Sequence, residues 1–117
     1  MRESVLKTKS YHFAIRIVKL YQFLIKEKKE FVLSKQLLRL GTAIGALIRE
    51  AKFGQSKADF TSKMSIALKE ANETIYWLEI LKDTGYIDEK LFKSLYDDCE
   101  ELIKMLVSTV KTTKNNQ

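Results

Sequence analysis

Apolar residues return along this chain every three or four positions, in four stretches separated by short polar breaks. Phe13, Ile17, Leu20, Tyr21 and Leu24 share one helical face, and the polar run Lys26-Glu27-Lys28-Lys29-Glu30 is expected to end that helix. Leu33, Leu37, Leu40, Ile44, Leu47 and Ala51 step by four and three, with Gly54 placed to close the second helix. In the third, Phe60, Met64, Ala67, Ala71, Ile75 and Leu78 line one face. Ser56 is its expected N-cap, Asp59 puts negative charge in the first turn, and Thr84-Gly85 closes it. The fourth, capped by Asp88, carries Leu91, Leu95, Leu102, Leu106 and Val110.

The last three helices are each ~20 residues or more, roughly 30 Å at 1.5 Å per residue. Short connections make sequential neighbours antiparallel, so the pattern predicts an all-α, up-down-up-down antiparallel four-helix bundle. One domain over residues 1–111 and a flexible polar tail over 112–117 follow. Composition agrees: among 117 residues there is no proline and only 4 glycines, too few for the turns of a sheet protein. At 45% hydrophobic and 31% charged, the chain is neither disordered nor membrane-spanning. The longest apolar-to-small run, Leu40 to Ile48, is far below the ~20 residues that cross a bilayer. Met1-Arg2-Glu3-Ser4 opens no signal sequence, and Cys99, the single cysteine, can form no internal disulfide. A soluble cytoplasmic protein is expected.

Charge sharpens the picture. The net charge is +6, but residues 1–40 hold ten basic and three acidic residues, and the rest of the chain is almost neutral. Lys9, His12, Arg16, Lys19 and Lys26 follow one another at steps of three, four, three and seven, so they share one face of the first helix, with Phe23 among them. That arrangement suits a phosphate backbone, which basic side chains bind without reading sequence. The competing interpretations are a solvated lysine face, a face buried against a neighbouring subunit, or one that docks an acidic protein. Asp97, Asp98, Glu100 and Glu101 are read as a solvated face of the fourth helix.

Gly41 and Gly45, four apart on the second helix, each cost about 1 kcal/mol against alanine. They imply close approach of another helix, either within the bundle or across a subunit interface. Tyr76 and Trp77 point away from the Leu78 line, and Tyr11, Ile15, Val18 and Ile25 lie off the first helix's inner seam. This apolar surplus predicts a second buried surface, hence an oligomer.

Candidate chemistry is sparse. Glu70 and Glu73 lie one turn apart, but a di-metal bundle site needs Glu-x-x-His pairs, and the one histidine, His12, has no glutamate three residues before it. Ion pairs with Arg49, Lys52 or Lys69 are the expected use of these acids. Cys99 falls near the apolar stripe of the fourth helix, as a small core residue would. No glycine-rich phosphate loop is present. No catalytic residue, metal or cofactor is expected. A helix-turn-helix regulator is disfavoured by the length of the helices.

The segment Leu38-Arg39-Leu40-Gly41-Thr42-Ala43-Ile44-Gly45-Ala46-Leu47-Ile48-Arg49-Glu50-Ala51, followed by Ser56, Asp59-Phe60, Lys63, Ile66-Ala67-Leu68-Lys69-Glu70-Ala71, Glu73-Thr74 and Tyr76-Trp77-Leu78, resembles a bacterial four-helix-bundle family. The family is named for proteins encoded in 23S rRNA intervening sequences, and it includes the accessory variability protein of diversity-generating retroelements. The resemblance spans nearly the whole chain and is densest from Arg39 to Leu81. It implies a ring-like homopentamer and a basic protein, and, for the accessory members, binding of RNA or DNA and partnership with a reverse transcriptase. Gly45, Glu50-Ala51, Ser56, Phe60, Lys69-Glu70, Glu73 and Tyr76-Trp77-Leu78 fit the family pattern. Two positions depart from it: Leu47 stands where asparagine is usual, and Ala43 where serine is common.

Overall fold

The computed structural model describes the backbone of residues 2–115 and the side chains of residues 4–115. Four helices follow one another: α1 (Arg2–Lys26), α2 (Leu33–Lys52), α3 (Lys57–Asp83) and α4 (Glu89–Asn115). Among the described residues there is no strand. Sequential helices pack as neighbours and α4 returns beside α1, which is the four-helix bundle expected from the apolar periodicity. The molecule is a rod 46 Å long and about 20 Å across.

The core runs the length of the rod. Leu6, Phe13, Ile17 and Leu24 from α1 meet Leu37 and Ile44 from α2, Met64, Ala67, Ala71 and Leu78 from α3, and Leu95, Cys99, Leu102 and Leu106 from α4. The apolar stripe of α1 begins a turn and more before Phe13, at Leu6. Ser10 interrupts it, buried on the same face, with its hydroxyl donating to the Lys7 carbonyl at 3.0 Å. A polar residue inside the stripe hid the start of the helix.

Local signals end the helices. The Ser56 hydroxyl accepts from the Asp59 N–H at 3.0 Å, and the Asp88 carboxylate accepts from the Leu91 N–H at 2.8 Å, so both N-caps form as expected. Gly85 follows α3 with φ of 85°, the left-handed conformation that glycine adopts without strain. Gly54 closes α2 by donating to the Ala51 carbonyl at 3.0 Å. α4 reaches Asn115, with the Thr113 hydroxyl donating to the Thr109 carbonyl. Residues 116–117 of the expected polar tail lie outside the described residues.

The start of α2 uses a cap that periodicity does not reveal. Glu30 lies buried in the α1–α2 connection. Its carboxylate accepts from the N–H groups of Val32 (3.0 Å), Leu33 (2.8 Å) and Ser34 (2.7 Å), and the Ser34 hydroxyl donates back to the Glu30 carbonyl. Burial alone would raise its pKa. The backbone donors and the Ser34 hydroxyl outweigh that and hold it below the ordinary value.

Candidate nucleic-acid interface

The two glycines of α2 face α1. A Cβ on Gly41 would sit 2.7 and 2.8 Å from the two γ-carbons of Ile17, and one on Gly45 would lie 3.4 Å from the Ser10 carbonyl oxygen. Close approach of α1 to α2 within one chain therefore accounts for Gly41, while at Gly45 the α1 backbone stands at ordinary contact distance. This pull toward α2 leaves α1 only sparsely packed on α4. Open grooves run along the α1–α4 seam. One is lined by Thr8, Lys9, His12, Phe13, Asp98 and Glu101. The next, of about 370 Å³, is lined by Arg16, Lys19, Leu20, Phe23, Leu91 and Leu95.

The basic stripe of α1 forms one bank of this seam. Its members do share a face, but α4 answers two of them. Lys9 Nζ lies 3.1 Å from Glu101 Oε1, and Arg16 Nη1 lies 2.7 Å from Asp98 Oδ2. Arg16 also donates from Nη2 to the Ser94 hydroxyl at 2.9 Å. Asp98 and Glu101, expected to be merely solvated, are thus the counter-charges of the α1 stripe. The remaining members stand open: His12, Lys19 and Lys26 are exposed, and among the described residues Lys19 and Lys26 have no ion-pair partner. His12 meets Tyr11 edge to face. Phe23 lies beside Lys19 in the groove, with Lys28 Nζ 5.8 Å from its ring centre.

The register explains why sequence reading missed these partners. Along antiparallel neighbours one residue number rises as the other falls, so Lys9 meets Glu101 while Arg16 meets Ser94, with Asp98 one turn on. The charges are visible in the sequence, but their pairing depends on a helix offset that periodicity leaves open.

The other expected ion pairs form in part. Glu73 pairs with Lys69 at 4.0 Å. Glu70 pairs with none of the expected cations, and its Oε2 is buried without a hydrogen-bond partner. Arg49 instead lies over the Tyr11 ring at 5.1 Å, and Lys52 beside Phe53. The described residues contain no cluster of His, Cys, Asp and Glu that could hold a metal ion. Cys99 is a core residue, as expected. Burial, reinforced by Glu100 and Asp98, pushes its thiol up to about 12, and the Sγ lies 3.3 Å from the Ala71 carbonyl. Tyr76 is exposed and stands edge to face with half-buried Trp77, ring centres 5.4 Å apart. No described helix is long and apolar enough to cross a membrane.

The model of the 23S rRNA-intervening sequence protein family matches residues 2–108. The chain belongs to this family. It is also similar to a crystal structure from Bacteroides thetaiotaomicron, that of a protein with unknown function from the S23 ribosomal protein family, with a TM-score of 0.94 and 57% sequence identity. The match covers 95% of this chain and 99% of that one. No curated protein matches. Within the 23S rRNA-intervening sequence family pattern, the densest stretch of the resemblance corresponds to α2 and α3, the pair in closest contact. Leu47, where the pattern usually has asparagine, is half-buried against the core and continues the apolar stripe.

Proposed function

We propose that this chain is a non-enzymatic, cytoplasmic, homo-oligomeric bundle that binds structured RNA or an RNA–DNA intermediate through the outer bank of α1, as an accessory to a nucleoprotein complex. One observation carries this: α4 supplies acids to Lys9 and Arg16 only, so Lys19 and Lys26 remain exposed and unpaired on a single helix face, with His12 between the paired positions and Phe23 alongside. Free lysines at helical spacing give phosphate contacts, affinity without sequence reading, and dependence on salt. The family's name ties it to 23S rRNA genes, which supports RNA as the first nucleic acid to try. Ring assembly as a homopentamer would multiply these weak contacts by avidity. A reverse transcriptase is the partner that the accessory members suggest.

The test is an RNA titration across a salt series. Binding should weaken steeply with salt. The double variant Lys19→Glu/Lys26→Glu should bind more weakly, with a salt slope shallower by roughly 1 per lost lysine contact. Unchanged affinity of that variant would remove the α1 face from the proposal. A salt-resistant complex with an acidic protein, and no RNA binding at low salt, would favour the rival interpretation of the same face as a protein-docking module.

A further inference from the structure

At the end of the rod where α1 and α3 begin and α2 ends, the three helices leave a pocket of about 80 Å³. Its floor is apolar: Ile48 and Met64 are buried and Phe60 is half-buried. Its rim is exposed and cationic, formed by Ser4, Lys7, Arg49 and Lys52.

Unlike Lys9, Arg16, Lys63, Lys82 and Lys93, the three rim cations have no carboxylate within ion-pair distance among the described residues. Among the described residues, the neighbouring acids Glu50 and Asp59 are engaged elsewhere. Glu50 meets Lys63 at 3.7 Å, and Asp59 accepts from the Gln55 N–H at the start of α3. The Arg49 guanidinium carbon lies 5.1 Å from the Tyr11 ring centre, a cation–π contact that occupies no hydrogen-bond donor. The α2 C-terminus offers roughly half a negative charge against three full positive ones, so the described lining is net positive.

We propose that this pocket binds a phosphate monoester terminus, with Lys7, Arg49 and Lys52 around the phosphoryl oxygens and the ester carbon directed to solvent. A phosphate monoester carries about −1.5 to −2 near pH 7 and presents three strong acceptors, which matches three cations better than a carboxylate does. A water needs about 10–15 Å³ of such space, so the cavity holds on the order of five heavy atoms, the size of one phosphoryl group. Arginine can take two oxygens of such a group at once. The same chemistry could come from a small organic phosphate or from the 5′-phosphate end of a polynucleotide.

Methyl phosphate, titrated into the full chain at low salt and followed by amide chemical shifts, should bind saturably and shift residues of the pocket. Arg49→Gln and Lys52→Gln should each weaken binding about tenfold or more, with unchanged circular dichroism, because both side chains are exposed. Lys104→Gln, on the exposed side of α4, should leave it unchanged. A short RNA carrying a 5′-phosphate that binds at least tenfold tighter than its 5′-hydroxyl form, with the difference lost in Arg49→Gln, identifies the polynucleotide end as the source. Equal binding of the two RNAs, with methyl phosphate binding retained, identifies a small organic phosphate. Absence of saturable methyl phosphate binding, or an equal loss in Lys104→Gln, overturns the proposal. The pocket shares no residue with the Lys19/Lys26 pair, so the two proposals fail separately.

Discussion

Three consecutive backbone N–H groups, those of Val32, Leu33 and Ser34, converge on the single carboxylate of Glu30. A helix start that concentrates its orphan donors on one side chain is vulnerable at that side chain. Glu30→Ala should cost ~1–2 kcal/mol, measured by urea unfolding. The pH dependence has a definite sign. Because the folded pKa lies below the ordinary 4.5, the stabilisation is fully present above that value and is lost as pH falls through the folded pKa. Native stability should therefore drop on acidification below about pH 4.5, and the Glu30→Ala variant should show less of that drop. The two glycines of α2 should part company under the same assay. Gly41→Ala drives a methyl into Ile17, whose branched γ-carbons have nowhere to go, and should destabilise by ~1–3 kcal/mol. Gly45→Ala meets the Ser10 carbonyl at ordinary contact distance and gains up to about 1 kcal/mol of helix propensity, so it should be neutral or mildly stabilising.

Between helices, legibility follows the range of the interaction. Ser56, Asp88 and Gly85 were readable because a cap or a left-handed glycine acts within four residues of its own position. The inner faces of all four helices were readable because burial repeats at the helical period. Leu6 was not, since buried Ser10 breaks the apolar run that would have led back to it. Glu30 was not, since its pattern is that of a charged loop, and only the three-dimensional path of the connection turns it inward. The least legible feature was the α1–α4 seam. The basic positions read from the sequence do share a face of α1, yet which of them remained free depended on the offset between the first and last helices. Ion pairs of this kind, with 34–53% of each side chain exposed, contribute little to stability on their own. Their importance is to the surface potential, because they remove two of the cations that a polyanion could use.

At the scale of the whole molecule, apolar side chains remain outside the core on several helices. Tyr11, Ile15 and Phe23 on α1 and Ile66 and Tyr76 on α3 are all exposed in the single chain. Covering such surface favours association. Static light scattering at micromolar concentration should return a mass that is a multiple of 13.6 kDa, with five the multiple implied by the family resemblance. A strictly monomeric mass would refute assembly and remove avidity from the proposed binding.

The seam also makes the bundle its own competitor. A polyanion laid along α1 reaches Lys19 and Lys26 directly, but gains Lys9 and Arg16 only by displacing Glu101 and Asp98. The molecule already carries, on its last helix, an imitation of the ligand proposed for its first. Asp98→Asn with Glu101→Gln should therefore tighten RNA binding rather than weaken it, and steepen its salt dependence by roughly 1 for each cation set free. A salt series on that variant measures how much of the affinity the fold holds back.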